Sequence, residues 1–526
     1  MAGTDGAHRF DHVVSVMFEN RSFDNLLGYL YDPGEVASFE GVAGRDLSNP
    51  IPSYAPGAER GVVPVHVATS MDAPNPDAGE EHPHTNTQLF GTVAPADNRF
   101  LSYEAMQPPF NAPDDPGREP TMDGFVLDYV NTFRSEMGRL PEYDEYAQIM
   151  SCYTPEQIPV ISTIAKGFAT FDHWFCEVPS QTFTNRSFYH AASSSGLVVY
   201  PPYDSFPQQN QAETIFDRLD AAGLSWRVYV DPGMPFSITG MIHTPRLSKQ
   251  FATHFSTLDD FFADAEQGRL ATYSFIEPNL LHAHNDYHPA MNAVAPGLAA
   301  DPPSSILGGE ALLARVYSAI RGSSTAGGSN FANTLFLVGF DEHGGTYDHV
   351  PPPRVPPPDP AAGAGQMGFH FDRSSVRIPT LAVSAYLDPR TVVTGQYRNT
   401  SVIRTLRERF SLGPSLTGRD AVAADLAPLL TRTTPRAQED WPEVTAPQVP
   451  PLLDPLVPMD QPLPPLGKYL LGTAIALDTM HTGHLADIDP KTTTGQQARD
   501  YISDRQARIW PGLTRSTTQG RSSRDL

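Results

Sequence analysis

Residues 333–349 read NTLFLVGFDEHGGTYDH. The first eight are almost wholly apolar, and a short continuous apolar run is how a strand buried on both faces of a parallel sheet reads. The run breaks directly into Asp341, Glu342 and His343, then into Gly344 and Gly345. In open α/β sheets, ligands bind outside the carboxyl ends of the strands, so these acids stand where a site belongs. Desolvating two adjacent carboxylates costs free energy unless a positive charge compensates. A divalent cation is the simple compensator, because oxygen ligands suit hard metals. The paired glycines let the backbone turn sharply and approach a ligand closely. An isolated Asp–Glu pair reads as a helix cap beside a solvated acid. Asp348, His343, His349 and the glycines shift this one towards a site.

Residues 12–18, HVVSVMF, form a second buried-strand run, and it too ends in polar residues, Glu19, Asn20, Arg21 and Ser22. One carboxylate and one amide oxygen from here would complete an oxygen-rich metal site with Asp341 and Glu342. The two pairs can meet only if their strands are near neighbours. A third stretch, VPSQTFTNR at 178–186, places hydroxyls just ahead of a helix expected to begin at Thr184 or Asn185. Backbone N–H groups there face an anion, and a hydroxyl becomes a nucleophile once a metal or base lowers its pKa. Ser180, Thr182 and Thr184 all qualify, though each could instead cap the helix. Arg186 is placed to steady phosphate oxygens. Histidines are scattered: His82 and His84 in EEHPHTNTQLF, and His282, His284 and His288 in HAHNDYHP. Each can ligate metal, donate to phosphate or protonate a leaving group. None has the H-E-x-x-H spacing of a zinc protease.

Around these motifs, strands and helices alternate. Strands are expected at 225–230, 271–276 and 378–386, with helices in 121–150, 158–171, 213–223, 310–321 and 401–410. Alternation over some 400 residues supports an α/β sheet. Residues 32–120 read as a long irregular excursion. Proline dominates 435–465, which is expected to be extended, and the remainder holds one helical stretch. We therefore expect a catalytic domain over 1–430, with 431–526 as a Pro-rich segment and C-terminal extension packing on it.

Composition narrows the function. The 526 residues are 40% hydrophobic and 18% charged, which is globular rather than disordered usage. The 52 prolines and 40 glycines imply long ordered loops. A net charge of −24 argues against a nucleic-acid partner, which needs a basic surface. It also argues against strong attraction to anionic membranes. Cys152 and Cys176 are too few for a disulfide framework or zinc cluster, and their apolar neighbours point to buried free thiols. No apolar run is long enough to span a membrane. No signal peptide precedes the motif at 12–20, so the chain is expected to be cytoplasmic or to have lost an export signal. P-loop, dinucleotide-binding and G-x-S-x-G motifs are absent.

Taken together, HVVSVMFENRSFDNLLGYL, FDHWFCEVPSQTFTNRSFYHAASSSG, HNDYHP and TLFLVGFDEHGGTYDHVPPP resemble a bacterial phosphoesterase family. That family contains phosphatidylcholine-type phospholipase C and a related acid phosphatase, and the match spans roughly residues 10 to 430. The resemblance implies an alkaline-phosphatase-like three-layer α/β/α sandwich with long Pro/Gly-rich insertions. It implies one divalent metal ion (Ca, Zn or Mg) held by Glu19, Asn20, Asp341 and Glu342, and a nucleophile at Thr182. His288 and His84 would contact phosphate or the leaving group, and Asn185 and Arg186 the substrate. The expected substrate is a small phosphoester or phospholipid, cleaved as a diester through a phospho-threonine. The alternatives are a phosphomonoesterase of the acid phosphatase kind and an inactive homologue that binds a phosphorylated ligand. Two departures bear on headgroup preference: SQTFTNR replaces the Gly-Pro and Pro that many relatives carry in this loop, and Arg398-Asn399 replaces their Asp-His.

Overall fold

The structure is a computed structural model that describes residues 9–202, 204–281, 284–290, 306–450, 463, 465–484 and 488–514. Its centre is an eight-stranded sheet. In chain order the strands are β1 (His12–Phe18), β2 (Ala169–Phe171), β3 (Trp226–Val230), β4 (Phe255–Thr257), β5 (Tyr273–Glu277), β6 (Thr334–Phe340), β7 (Leu381–Val383) and β8 (Thr391–Val393). Across the sheet they run β8-β2-β7-β6-β1-β5-β3-β4. The block from β6 to β4 is parallel, and β7 is antiparallel to both its neighbours. The two apolar runs of the sequence are thus the central pair, in register from His12 opposite Thr334 to Phe18 opposite Phe340. All seven residues of β6 are buried. A strand covered on both faces has no need of polar alternation.

Helices flank both faces, giving the expected mixed α/β sandwich. On one side α4 (Pro159–Gly167) and α7 (Leu258–Glu266) pack against α8 (Ile306–Gly322). On the other, α5 (Thr182–Ala191) packs against α6 (Ile215–Ala221) and α9 (Thr400–Phe410). One continuous core of buried aliphatic and aromatic side chains joins sheet and helices.

Several elements differ from expectation. The apolar stretch 158–171 is not one helix: α4 stops at Gly167 and the chain enters β2. A short buried run is equally compatible with either structure. The strand expected at 378–386 shrinks to three residues. The excursion at 32–120 contains α2 (His82–Phe90), all nine residues of which are buried. Its sequence, HPHTNTQLF, carries too little apolar periodicity to announce a helix. The helix α3 (Phe125–Met137) packs against it. Beyond the proline-rich stretch lie two long helices where one was expected, α10 (Pro465–Thr482) and α11 (Gly495–Ile509). Trp510, just after α11, stacks on Phe251 with ring centroids 3.8 Å apart. Both cysteines are free and buried, as the sequence implied. Among the described residues no helix is long and apolar enough to cross a membrane.

Candidate active site

The pairing of β1 with β6 sets Glu19 and Asp341 side by side at adjacent carboxyl ends. The Asp341 N–H donates to the Phe18 carbonyl at 3.1 Å, and the Asn20 N–H donates to Asp341 Oδ1 at 3.1 Å. Asn20 reaches that carboxylate with φ of 58°, a left-handed conformation that asparagine tolerates. Gly344 and Gly345 also have positive φ, 58° and 62°. A Cβ on Gly344 would stand 2.2 Å from the Asn20 carbonyl oxygen, and one on Gly345 would stand 2.5 Å from that of Gly79. The glycines therefore let the β6 tip, the β1 tip and the loop before α2 approach one another. Gly344→Ala combines that clash with strain at positive φ, and we expect it to cost at least about 2 kcal/mol of stability, read as a lowered urea midpoint.

The third motif meets the same point. Helix α5 begins at Thr182, two residues earlier than expected, so Thr182 sits in its first turn. Thr182 Oγ1 donates to Glu19 Oε2 at 3.0 Å. The other candidate hydroxyls are committed elsewhere: Ser180 Oγ and Thr184 Oγ1 both donate to the Val198 carbonyl, at 2.6 and 2.9 Å. Asn185 spends its side chain on the loop, accepting from the Glu177 and Val178 N–H groups and donating to the Val178 and Ser180 carbonyls. It holds the Thr182 loop in place rather than facing the cleft. Arg186 Nη2 pairs with Glu19 Oε1, and its Nε lies 3.8 Å from Asp341 Oδ2. Its buried Nη1 has no protein partner.

The residues present fit a cation. Asn20 Oδ1, Asp341 Oδ2 and Glu342 Oε1 are buried oxygens without a hydrogen-bond partner. Burial of this kind is expensive unless something positive is bound. Burial pushes Glu19 and Glu342 well above the usual carboxylate range; Asp341 adds to both, and Arg186 offsets the rise at Glu19. Glu19 differs from the other three expected ligands, because Thr182 and Arg186 already engage both its oxygens.

Asp77, Glu80 and Tyr200 also lie in this region and were not read from the sequence. Asp77, Glu80 and His288 each place a ligand atom within 4.8 Å of the others. Glu80 Oε2 accepts from Asn20 Nδ2. Tyr200 brings its hydroxyl against that of Thr182. The acids at 77 and 80 sit before α2, where carboxylates ordinarily serve the helix terminus, so local sequence carries little signal of a site. His288 Nε2 lies 2.9 Å from Asn20 Nδ2, at the tip of β1.

His84 has its contacts elsewhere. Its Nδ1 pairs with Asp128 at 2.9 Å and its Nε2 lies 3.9 Å from Glu81. Although burial opposes its charge, Asp128 raises its pKa to about 9. A histidine raised in the folded state contributes stability below its unfolded value of 6.5 and loses it as pH climbs through about 9. We expect unfolding free energy to fall by roughly 2–3 kcal/mol across that window, and His84→Gln to flatten the curve. His82 Nδ1 donates to the Pro179 carbonyl at 2.8 Å, and burial lowers its pKa to about 4. His284 pairs with Asp286 at 3.0 Å. His282 lies outside the described residues.

Asp348 and His349 require a correction, because they do not join the acids of the β6 tip. Arg377 binds Asp24 at 2.8 Å and Asp348 at 2.9 Å, and His349 Nδ1 contacts Asp24 at 2.6 Å. This buried lock ties the end of the motif to the helix α1 (Phe23–Leu27). Arg377 supplies positive charge to both acids of this lock.

The Phosphoesterase family matches residues 10–413. Non-specific phospholipase C4 of Arabidopsis thaliana is 29% identical, with the alignment covering 84% of this chain and 75% of the relative. Non-specific phospholipase C3 of the same plant is 27% identical over 100% of this chain and 93% of its own. Phospholipase C A of Mycobacterium tuberculosis (strain ATCC 25618 / H37Rv) is 26% identical, covering 62% of this chain and 63% of the relative. The likeness thus reaches plant as well as bacterial phospholipases C, wider than the bacterial group the motifs brought forward. With the strand tips, the acids and the threonine converging as described, the chain belongs to the Phosphoesterase family and is a phospholipase C-like hydrolase of phosphoester bonds.

Proposed function

We propose that the protein cleaves a phosphodiester of the phospholipase C type through a covalent phospho-threonine at Thr182. The observation that carries this reading is the 3.0 Å hydrogen bond from Thr182 Oγ1 to Glu19 Oε2 at the start of α5. It stands beside the unpartnered oxygens of Asn20, Asp341 and Glu342. Glu19, Asn20, Asp341 and Glu342 are the residues that would hold one divalent ion, with calcium, zinc and magnesium all compatible with oxygen ligands. Such an ion supplies Lewis-acid stabilisation of charge on phosphoryl oxygens.

The protein groups do the rest. Glu19 accepts the Thr182 proton as the Oγ1–P bond forms and the bond from phosphorus to the leaving alcohol breaks. The first-turn N–H groups of α5 and the unpaired Nη1 of Arg186 face the phosphoryl oxygens. The alkoxide leaves with a proton, for which His288 beside Asn20 is the donor we assign. Water then attacks phosphorus and gives a proton back to His288, the P–Oγ1 bond breaks, and Glu19 returns its proton to Thr182 Oγ1 as the phosphorylated headgroup leaves. The names of the plant and mycobacterial relatives support a diester over a monoester. Side-by-side turnover of p-nitrophenylphosphorylcholine and p-nitrophenyl phosphate tests this. The diester should be the faster substrate; a clear preference for the monoester would move the protein to the acid phosphatase side.

A further inference from the structure

Glu19, Asp77, Glu80, Asp286, Asp341 and Glu342 crowd the cleft, each acting on at least one other, with the guanidiniums of Arg21 and Arg186 among them. Burial pushes the Glu80 carboxyl well above the usual range, and Glu342 adds to the rise. Carboxyl groups crowded and buried in this way need protons or cations.

His288 shows where a positive charge fits. Its Nδ1 faces the Pro289 carbonyl at 2.8 Å. A carbonyl only accepts, so Nδ1 carries the hydrogen and a neutral ring turns the Nε2 lone pair into the cleft. This is the tautomer of a metal-ligating histidine, fixed by a backbone carbonyl on its far nitrogen. Nε2 lies 3.8 Å from Asp77 Oδ2. The Asn20 side-chain N–H₂ stands at the convergence, touching His288 Nε2 and Glu80 Oε2 together. A donor at that point does for these lone pairs what a cation would do. The Oδ1 of the same amide is buried and has no partner.

We propose that Asp77, Glu80 and His288 bind a second divalent cation beside the one assigned to Glu19, Asn20, Asp341 and Glu342. Loading it requires the Asn20 N–H₂ to leave His288 Nε2, which drawing Oδ1 towards the first ion would bring about. The proposal rests on the reading of that first ion, and it makes His288 a ligand in place of a proton donor. Two cations flanking one phosphoryl group can serve the entering and the leaving oxygen separately.

The test is Mn²⁺ stoichiometry on the full chain, by equilibrium dialysis with free Mn²⁺ read by electron paramagnetic resonance. Circular dichroism melts would establish that each variant folds. Wild type should bind two ions per chain, with the line broadening of a close pair. Asp77→Asn and Glu80→Gln should each bind one, as should Asp341→Asn. His288→Gln serves as a further variant at the second site should either acid variant fail to fold. One ion in wild type, lost with Asp341→Asn and kept with Glu80→Gln, overturns the second site and leaves the first. Two ions retained in both Asp77→Asn and Glu80→Gln also overturn it. One ion lost with Glu80→Gln but kept with Asp341→Asn would instead sink the ligand set given under the proposed function.

Discussion

Thr182→Val is expected to lower kcat for phosphoester hydrolysis by about 10³-fold or more, since the variant has no atom on which to form the covalent intermediate. Valine nearly matches threonine in shape, but the swap leaves Glu19 Oε2 without the donor it now has at 3.0 Å. A buried acceptor without its partner costs about 1–3 kcal/mol, so a modest drop in Tm should accompany the loss of turnover. The two effects can be separated. Thr184→Val removes a buried hydroxyl from the same helix, one that donates to the Val198 carbonyl rather than to Glu19. It should lower stability comparably while leaving most of the activity. Equal activity losses in the two variants would mean that Thr182 matters for packing and not for chemistry.

Asp341→Asn should weaken divalent-ion affinity by more than about 100-fold and remove activity with it. Its effect on the metal-free protein should run the other way. Asp341 faces Glu19 and Glu342 across a buried space and raises the pKa of both. Removing one of three crowded carboxylates relieves repulsion that Arg186 offsets in part. Chelated Asp341→Asn should therefore melt at or above the temperature of chelated wild type. Added metal should raise the wild-type Tm and leave the variant unmoved, as ligand binding to the folded state alone requires. A variant that gains as much Tm from metal as wild type would remove Asp341 from the ligand set.

Much of the architecture was legible because burial on both faces leaves a simple mark. HVVSVMF and TLFLVGF read as strands and are strands, and their acids stand at the carboxyl ends where α/β sheets place ligands. What no local pattern could give was their adjacency, which depends on strand order and is settled by the pairing of Phe18 with Phe340. The choice among Ser180, Thr182 and Thr184 was equally hidden. It turns on where α5 begins, and the register that puts Thr182 in the first turn sends the other two hydroxyls to Val198. Asp77, Glu80 and Tyr200 escaped because each comes from a loop with no periodicity, and their meeting is purely tertiary. Asp348 and His349 misled for the opposite reason: they adjoin the acids in sequence, yet Arg377 and Asp24, far away in the chain, claim them.

In the proposed mechanism the Thr182 hydroxyl attacks phosphorus beside the joined tips of β1 and β6. The direct measurement is acid quench of metal-loaded enzyme during turnover of p-nitrophenylphosphorylcholine, followed by peptide mass mapping. We predict one phosphorylcholine-bearing peptide spanning 178–191, with the group on Thr182, and none from Thr182→Val. An unmodified Thr182 under conditions where a burst of p-nitrophenol precedes steady turnover, or the group found on another residue, would contradict the mechanism.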